Sequence, residues 1–149
     1  MLTLQHITIN TKDIAKSMTF YEEVFGFIKA ERPDFPFLGA WYWIEPKKTM
    51  LHLQHTNLPV RGAAGTSHFS AGRNPVHHIA LEVSYPEKNI RYEYQRWCDF
   101  LRSARAEWDM YEHADLDIKF HSFDDKKFLQ IFVLDPINFV RWELNFPVQ

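Results

Sequence analysis

A short strand motif occurs twice in this chain, and no other feature constrains the fold as much. Leu4-Gln5-His6-Ile7-Thr8-Ile9-Asn10 begins the first half, and Val76-His77-His78-Ile79-Ala80-Leu81-Glu82 begins the second. Each sets a histidine before a short apolar run, and a helical pattern follows each. A duplicated element with the same side chain in the same register predicts two halves that fold alike. It also predicts a site shared between them, because imidazole is the commonest metal ligand.

The order of elements repeats with the motif. In the first half, residues 4–10 read as a strand, and Asp13 caps a helix running to Phe25 with Ile14, Met18, Tyr21 and Phe25 at helical spacing. Gly26 stops that helix. Strands are expected at 27–30, 39–45 and 49–55, separated by the loop Arg32-Pro33-Asp34-Phe35-Pro36 and the turn Pro46-Lys47-Lys48. In the second half, residues 76–83 form a strand. Ile90, Tyr94, Trp97, Cys98, Leu101 and Ala104 make the apolar stripe of a helix. Strands follow at 118–123, 127–134 and 139–146, with turns at 124–126 and at Asp135-Pro136-Ile137-Asn138. Residues 107–117 carry no decisive pattern. The fold class is therefore α+β: one domain of two βαβββ modules, 1–56 and 76–149, joined by a Gly- and Pro-rich linker at 57–75.

Alternation along strands sorts side chains between two faces. His6 shares a face with Thr8 and Asn10, while Ile7 and Ile9 point to the helix. His78 shares a face with Ala80 and Glu82; His77 falls on the apolar side. In residues 49–55, His52 lies opposite Leu51 and Leu53. In residues 139–146, Arg141, Glu143 and Asn145 lie opposite Trp142, Leu144 and Phe146. Taken singly, each histidine is an ordinary surface or core residue, and Glu143 could simply pair with Arg141. Together, His6, His52, His78 and Glu143 make a donor set suited to a divalent ion: Zn, Fe(II), Ni, Mn or Co. His55, His68 and His113 default to surface or loop positions, whereas His121 lies on a second-half strand that could border the site. Trp41, Tyr42 and Trp43 serve as packing residues or as pocket wall. Cys98 lies on the helix stripe, where burial is expected.

The 149 residues carry 17 basic and 19 acidic side chains, with no basic run interleaved with aromatics. That argues against a nucleic-acid partner and for a small-molecule substrate. No run of apolar residues is long enough to span a bilayer, so no membrane partner is expected. A single cysteine and no leader pattern point to the cytoplasm. Aromatic residues reach 16 %. That excess, with the open strand edges of small sheets, predicts a homodimer.

These residues, in this order, resemble the vicinal oxygen chelate superfamily of glyoxalases, fosfomycin and bleomycin resistance proteins and extradiol dioxygenases. The likeness spans nearly the whole chain. It rests on His6-Ile7-Thr8-Ile9, on Phe20-Tyr21-Glu22-Glu23-Val24-Phe25-Gly26-Phe27, on His78-Ile79-Ala80-Leu81, and on Asp135-Pro136 ahead of Glu143-Leu144. It implies two modules whose sheets curl into a mixed-sheet cleft, with a metal at the positions of His6, His52, His78 and Glu143. It further implies a glyoxalase-like lyase or isomerase, in which the metal binds two neighbouring oxygens of a substrate. Glu143 would act as ligand and, when displaced, as base; Arg141 or His121 would orient an anionic group. His52 stands where glyoxalase I has a carboxylate. His6, His78 and Glu143 alone would match the two-histidine, one-carboxylate set of a dioxygenase, although Phe132 replaces the tyrosine usual there. A non-catalytic binder of aromatic drugs is the third reading.

Overall fold

The computed structural model describes residues 3–57, 78–84, 89–112, 118–123 and 128–147. The chain divides into two compact units, Met1–His68 and Phe69–Gln149. The expected linker at 57–75, apart from Asn57, lies outside the described residues, as do His68, His77 and His113.

The first unit contains β1 (His6–Thr11), α1 (Ile14–Glu23), β2 (Ile28–Ala30), β3 (Gly39–Glu45) and β4 (Thr49–His55). Its sheet has the order β1-β4-β3-β2. β1 runs parallel to β4, and the other pairs are antiparallel. The Asp13 carboxylate accepts from the Lys16 amide at 3.0 Å, satisfying one of the free donors at the start of α1. A buried bond of 2.8 Å between the Thr11 and Ser17 hydroxyls ties the end of β1 to the helix. At the other end Gly26 takes φ +65°, and the Phe27 amide reaches back to the Tyr21 carbonyl. A left-handed residue favours that closure, so the glycine turns the chain away just after the helix ends. Phe20, Tyr21 and Val24 are buried on one side of the sheet with Ile9, Ala40, Tyr42, Leu51 and Leu53. The Tyr42 hydroxyl donates to Glu22 at 2.7 Å, which satisfies its polar end inside this core.

The second unit contains β5 (Ile79–Glu82), α2 (Ile90–Glu112), β6 (Ile118–Phe123), β7 (Phe128–Leu134) and β8 (Arg141–Pro147). Its sheet has the order β5-β8-β7-β6, again with one parallel pair, β5 to β8. Topology is thus the same in both units, strand for strand. Cys98 and Leu101 of α2 are buried with Leu129, Ile131, Val133, Trp142, Leu144 and Phe146. Tyr94 meets Phe146 edge-on at 5.3 Å and donates its hydroxyl to the His121 carbonyl.

Several boundaries differ from the sequence expectation. α2 continues through residues 107–112, which contain neither glycine nor proline to stop it. β8 starts at Arg141 rather than at 139, because Phe139 still belongs to the turn with φ +58°. That turn is built by Asp135, whose Oδ1 accepts from the Ile137 and Asn138 amides at 2.8 and 3.1 Å. The Asn138 side chain donates to the other carboxylate oxygen at 2.8 Å. α1 ends before Phe25, β1 starts at His6 and β5 starts at Ile79. Among the described residues, no helix is long and apolar enough to cross a membrane.

Candidate functional site

On β1, His6 and Thr8 share the face away from α1, and on β4 His52 shares it with Met50 and Gln54. In the parallel register Thr8 pairs with His52, so His52 lies beside the residue two positions after His6. The second unit repeats this step. Ala80 pairs with Glu143, and Ala80 is two positions after His78. His6 and His78 are therefore equivalent, and so are His52 and Glu143. Across the antiparallel pairs, Trp41 faces His52 as Phe132 faces Glu143.

In the first unit the His52 ring is held between two parallel rings. His6 stacks on it at 4.3 Å and 9°, Trp41 at 4.2 Å and 7°. This follows from strand order, since β4 runs between β1 and β3. The Gln5 side-chain oxygen lies 3.0 Å from Nδ1 of His6. Accepting a proton there leaves Nε2 with its lone pair, the arrangement that orients metal-binding histidines. Burial lowers the pKa of His52, and the electrostatic effect of nearby His6 and Arg32 lowers it further. Its Nε2 is buried without a hydrogen-bond partner among the described residues. An imidazole that resists protonation and has an unsatisfied nitrogen fits a metal ligand, because protonation would block coordination.

In the second unit Nε2 of His78 lies 3.1 Å from Oε2 of Glu143. Glu143 is only 8 % exposed, so its charge needs partners. Gln130 supplies a second one, donating to Oε1 of Glu143 at 2.7 Å and to Oδ1 of Asn145 at 2.9 Å. Phe132 meets both His78 and His121 edge-on, at 6.3 and 5.6 Å. His121 pairs with Gln130 across β6 and β7, and Arg141 lies on β8 two residues before Glu143. Thus the unit's sheet face carries His78, His121, Gln130, Arg141, Glu143 and Asn145.

Gln130 and Asn145 did not stand out in the sequence. The one signal was Gln130 itself, a lone amide between Leu129 and Ile131 in an apolar strand. Arg32, read only as a loop residue, places its guanidinium 5.0 Å from the rings of both Phe35 and Phe37. It also donates to the Phe37 carbonyl at 2.7 Å. A Cβ added at Gly39 would come within 2.5 Å of the Leu53 carbonyl and 3.3 Å of Arg32 Nε, so glycine is required there. His55 falls on the opposite face of β4 from His52, with Nε2 3.2 Å from Asn57. Among the described residues no three His, Cys, Asp or Glu side chains group closely enough to hold a metal ion. The donors stand as two pairs, one in each unit.

Comparison with solved structures gives the same fold. The fosfomycin resistance protein FosX from Listeria monocytogenes, solved with Mn(II) and 1S,2S-dihydroxypropylphosphonic acid, matches with a TM-score of 0.61 at 15 % identity, over 97 % of this chain and 92 % of that one. Lactoylglutathione lyase from Agrobacterium tumefaciens matches with a TM-score of 0.58 at 14 % identity, over 96 % and 92 %. A glyoxylase/bleomycin resistance protein/dioxygenase domain from Frankia sp. EAN1pec matches with a TM-score of 0.61 at 14 % identity, over 99 % and 98 %. No curated protein matches the chain. Residues 3–132 match the family model for these proteins, and the chain belongs to the Glyoxalase/Bleomycin resistance protein/Dioxygenase superfamily.

Proposed function

We propose that this chain is a metal-dependent enzyme of glyoxalase type, a lyase or isomerase acting on a small oxygenated substrate. Its divalent ion would be held by His6, His52, His78 and Glu143. The observation that carries this reading is the shared register: both units place a histidine and a second donor at equivalent positions. The Mn(II) in the FosX structure supports a divalent ion in this fold.

When bound, such an ion supplies a Lewis acid that stabilises negative charge developing on a substrate oxygen. The chain's own residues do the rest. Gln5 sets the His6 tautomer, and the stack fixes the His52 ring. Arg141 offers positive charge and His121 an imidazole on the sheet face that carries Glu143, which suits an anionic substrate group. Glu143 is the carboxylate nearest to take up a proton if it leaves the metal.

A second reading has one observation in its favour. The His52 ring is locked between two others, which would leave His6, His78 and Glu143 as the set of an Fe(II) dioxygenase. Elemental analysis of protein purified without chelator separates the readings. About one Mn, Ni, Co or Zn per chain is expected. Iron with oxygen consumption would favour the dioxygenase, and no bound metal under any loading condition would refute both.

We also propose that the chain works as a homodimer in the cytoplasm. Ile28 on the edge strand β2 and Leu38 just before β3 are each 64 % exposed, an apolar surface that a partner copy would cover. Light scattering at micromolar concentration should give twice the chain mass; a monomer would reject the dimer.

A further inference from the structure

Arg32 lies in the loop between β2 and β3 and turns its guanidinium onto the sheet face that carries Trp41 and His52. Gly39 makes the space. It stands two residues before Trp41, on the same face by alternation, and a Cβ there would lie 3.3 Å from Arg32 Nε and 3.5 Å from Nη2. The second unit fills the matching slot differently. Gly39 pairs with Gln54 next to the pair of Trp41 with His52, as Gln130 pairs with Asn145 next to the pair of Phe132 with Glu143. There the strand's own amide takes the slot. In the first unit a charged group is brought in from a loop.

That charge has no counter-ion among the described residues, although Glu31 and Asp34 are close to it in the chain. Nη2 donates to the Phe37 carbonyl at 2.7 Å, whereas Nη1 reaches only the Pro33 carbonyl, at 3.5 Å. Nε is buried without an acceptor among the described residues. The Nη2 bond alone would brace the loop. A guanidinium with donors to spare and no carboxylate beside it is a costly brace unless an anion completes it.

Rings surround the cation. Its Cζ lies 5.0 Å from the centroids of both Phe35 and Phe37, which stack on each other at 5.3 Å and 16°. Phe35 in turn meets Trp41 at 6.0 Å. Phe35 is 38 % exposed and Phe37 41 %. Exposed rings beside an uncompensated guanidinium favour an anion with a flat apolar body, whose ring packs on the phenylalanines while its carboxylate takes the N–H donors. A bare anion such as phosphate would shed water against these rings and gain nothing from them.

We infer that Arg32, Phe35 and Phe37 form a subsite for an aromatic carboxylic acid, with the carboxylate on Nη1 and the ligand's ring against the two phenylalanines. The subsite is built by the first unit alone and needs no metal, so it stands apart from the metal reading above.

The test uses the full chain stripped of metal with a chelator. The probe is 2-naphthoate, the control its uncharged amide, 2-naphthamide, and both are followed by isothermal titration. Wild-type protein should bind the naphthoate about tenfold more tightly than the amide. Arg32→Gln should remove that preference, weakening naphthoate by about tenfold and leaving naphthamide unchanged. An arginine that only braced the loop would weaken both or neither. If Arg32→Gln does not fold by circular dichroism, Phe35→Ala and Phe37→Ala, which remove exposed rings, should each weaken naphthoate severalfold. The inference is overturned if wild-type protein shows no preference for naphthoate, or if naphthoate binding survives in folded Arg32→Gln or in both ring variants. It is also overturned if Arg141→Gln abolishes the preference while Arg32→Gln keeps it, or if equimolar inorganic phosphate displaces the naphthoate. With no metal present, any of these failures leaves the metal reading to be decided by elemental analysis.

Discussion

His52 shows how much of a residue's character is set by its neighbours. Buried, flanked by a second histidine and a tryptophan, and within reach of Arg32, it has its pKa pushed below the ordinary imidazole value. Facing also separates histidines with similar sequence surroundings. His78→Ala should weaken metal binding by about tenfold or more with little loss of stability, whereas His55→Ala should leave metal binding intact. Isothermal titration with Co(II) on both variants checks this, and equal losses would refute the assignment of faces. Strand periodicity alone was enough to put His6, His52, His78 and Glu143 on faces away from the helices. It was blind to Gln130 and Asn145, whose part depends on pairing between strands, and one strand's pattern carries no information about its neighbour's register.

Elements were legible where the chain punctuates itself. β3 and β4 have the bounds that their flanking turns dictate, and α1 starts at its Asp13 cap. The ends that moved were those decided by three-dimensional detail. A left-handed Phe139 is invisible in composition, and it delays β8 to Arg141. Asp135 governs that turn and with it the strand that presents Glu143. Its carboxylate is fully buried and accepts from the Ile137 and Asn138 amides and the Asn138 side chain. Asp135→Ala leaves two turn amides and the Asn138 side chain without an acceptor, and should destabilise the protein by about 1–3 kcal/mol. Urea denaturation should show a lower midpoint with an unchanged slope; a shift within experimental error would mean the turn holds without its carboxylate.

At the scale of the whole molecule, both units bury ionisable groups in neutral form. Burial raises Tyr42 far above its ordinary value, with the Glu22 carboxylate adding to the effect. Burial also raises Tyr94, to about 12, and raises the Cys98 thiol. The unfolded chain would ionise these groups from their ordinary values of 9.0 for Cys and 10.0 for Tyr. Above pH 9 to 10 unfolding therefore releases protons, and stability falls as pH rises towards the folded values. Thermal melts between pH 7.5 and 10.5 should show a falling midpoint, less steep in Tyr42→Phe; a flat profile would contradict the burial of these groups. The identical register of the two halves has an evolutionary consequence. A duplicated module begins with two copies of every donor, and either copy is then free to drift. Here one copy keeps a hard carboxylate restrained by an amide, and the other carries a softer imidazole pressed against an indole. In the proposed metal site, ion preference would then be a property of the mismatch between siblings, one that a single exchange at His52 or Glu143 would retune without redrawing either sheet.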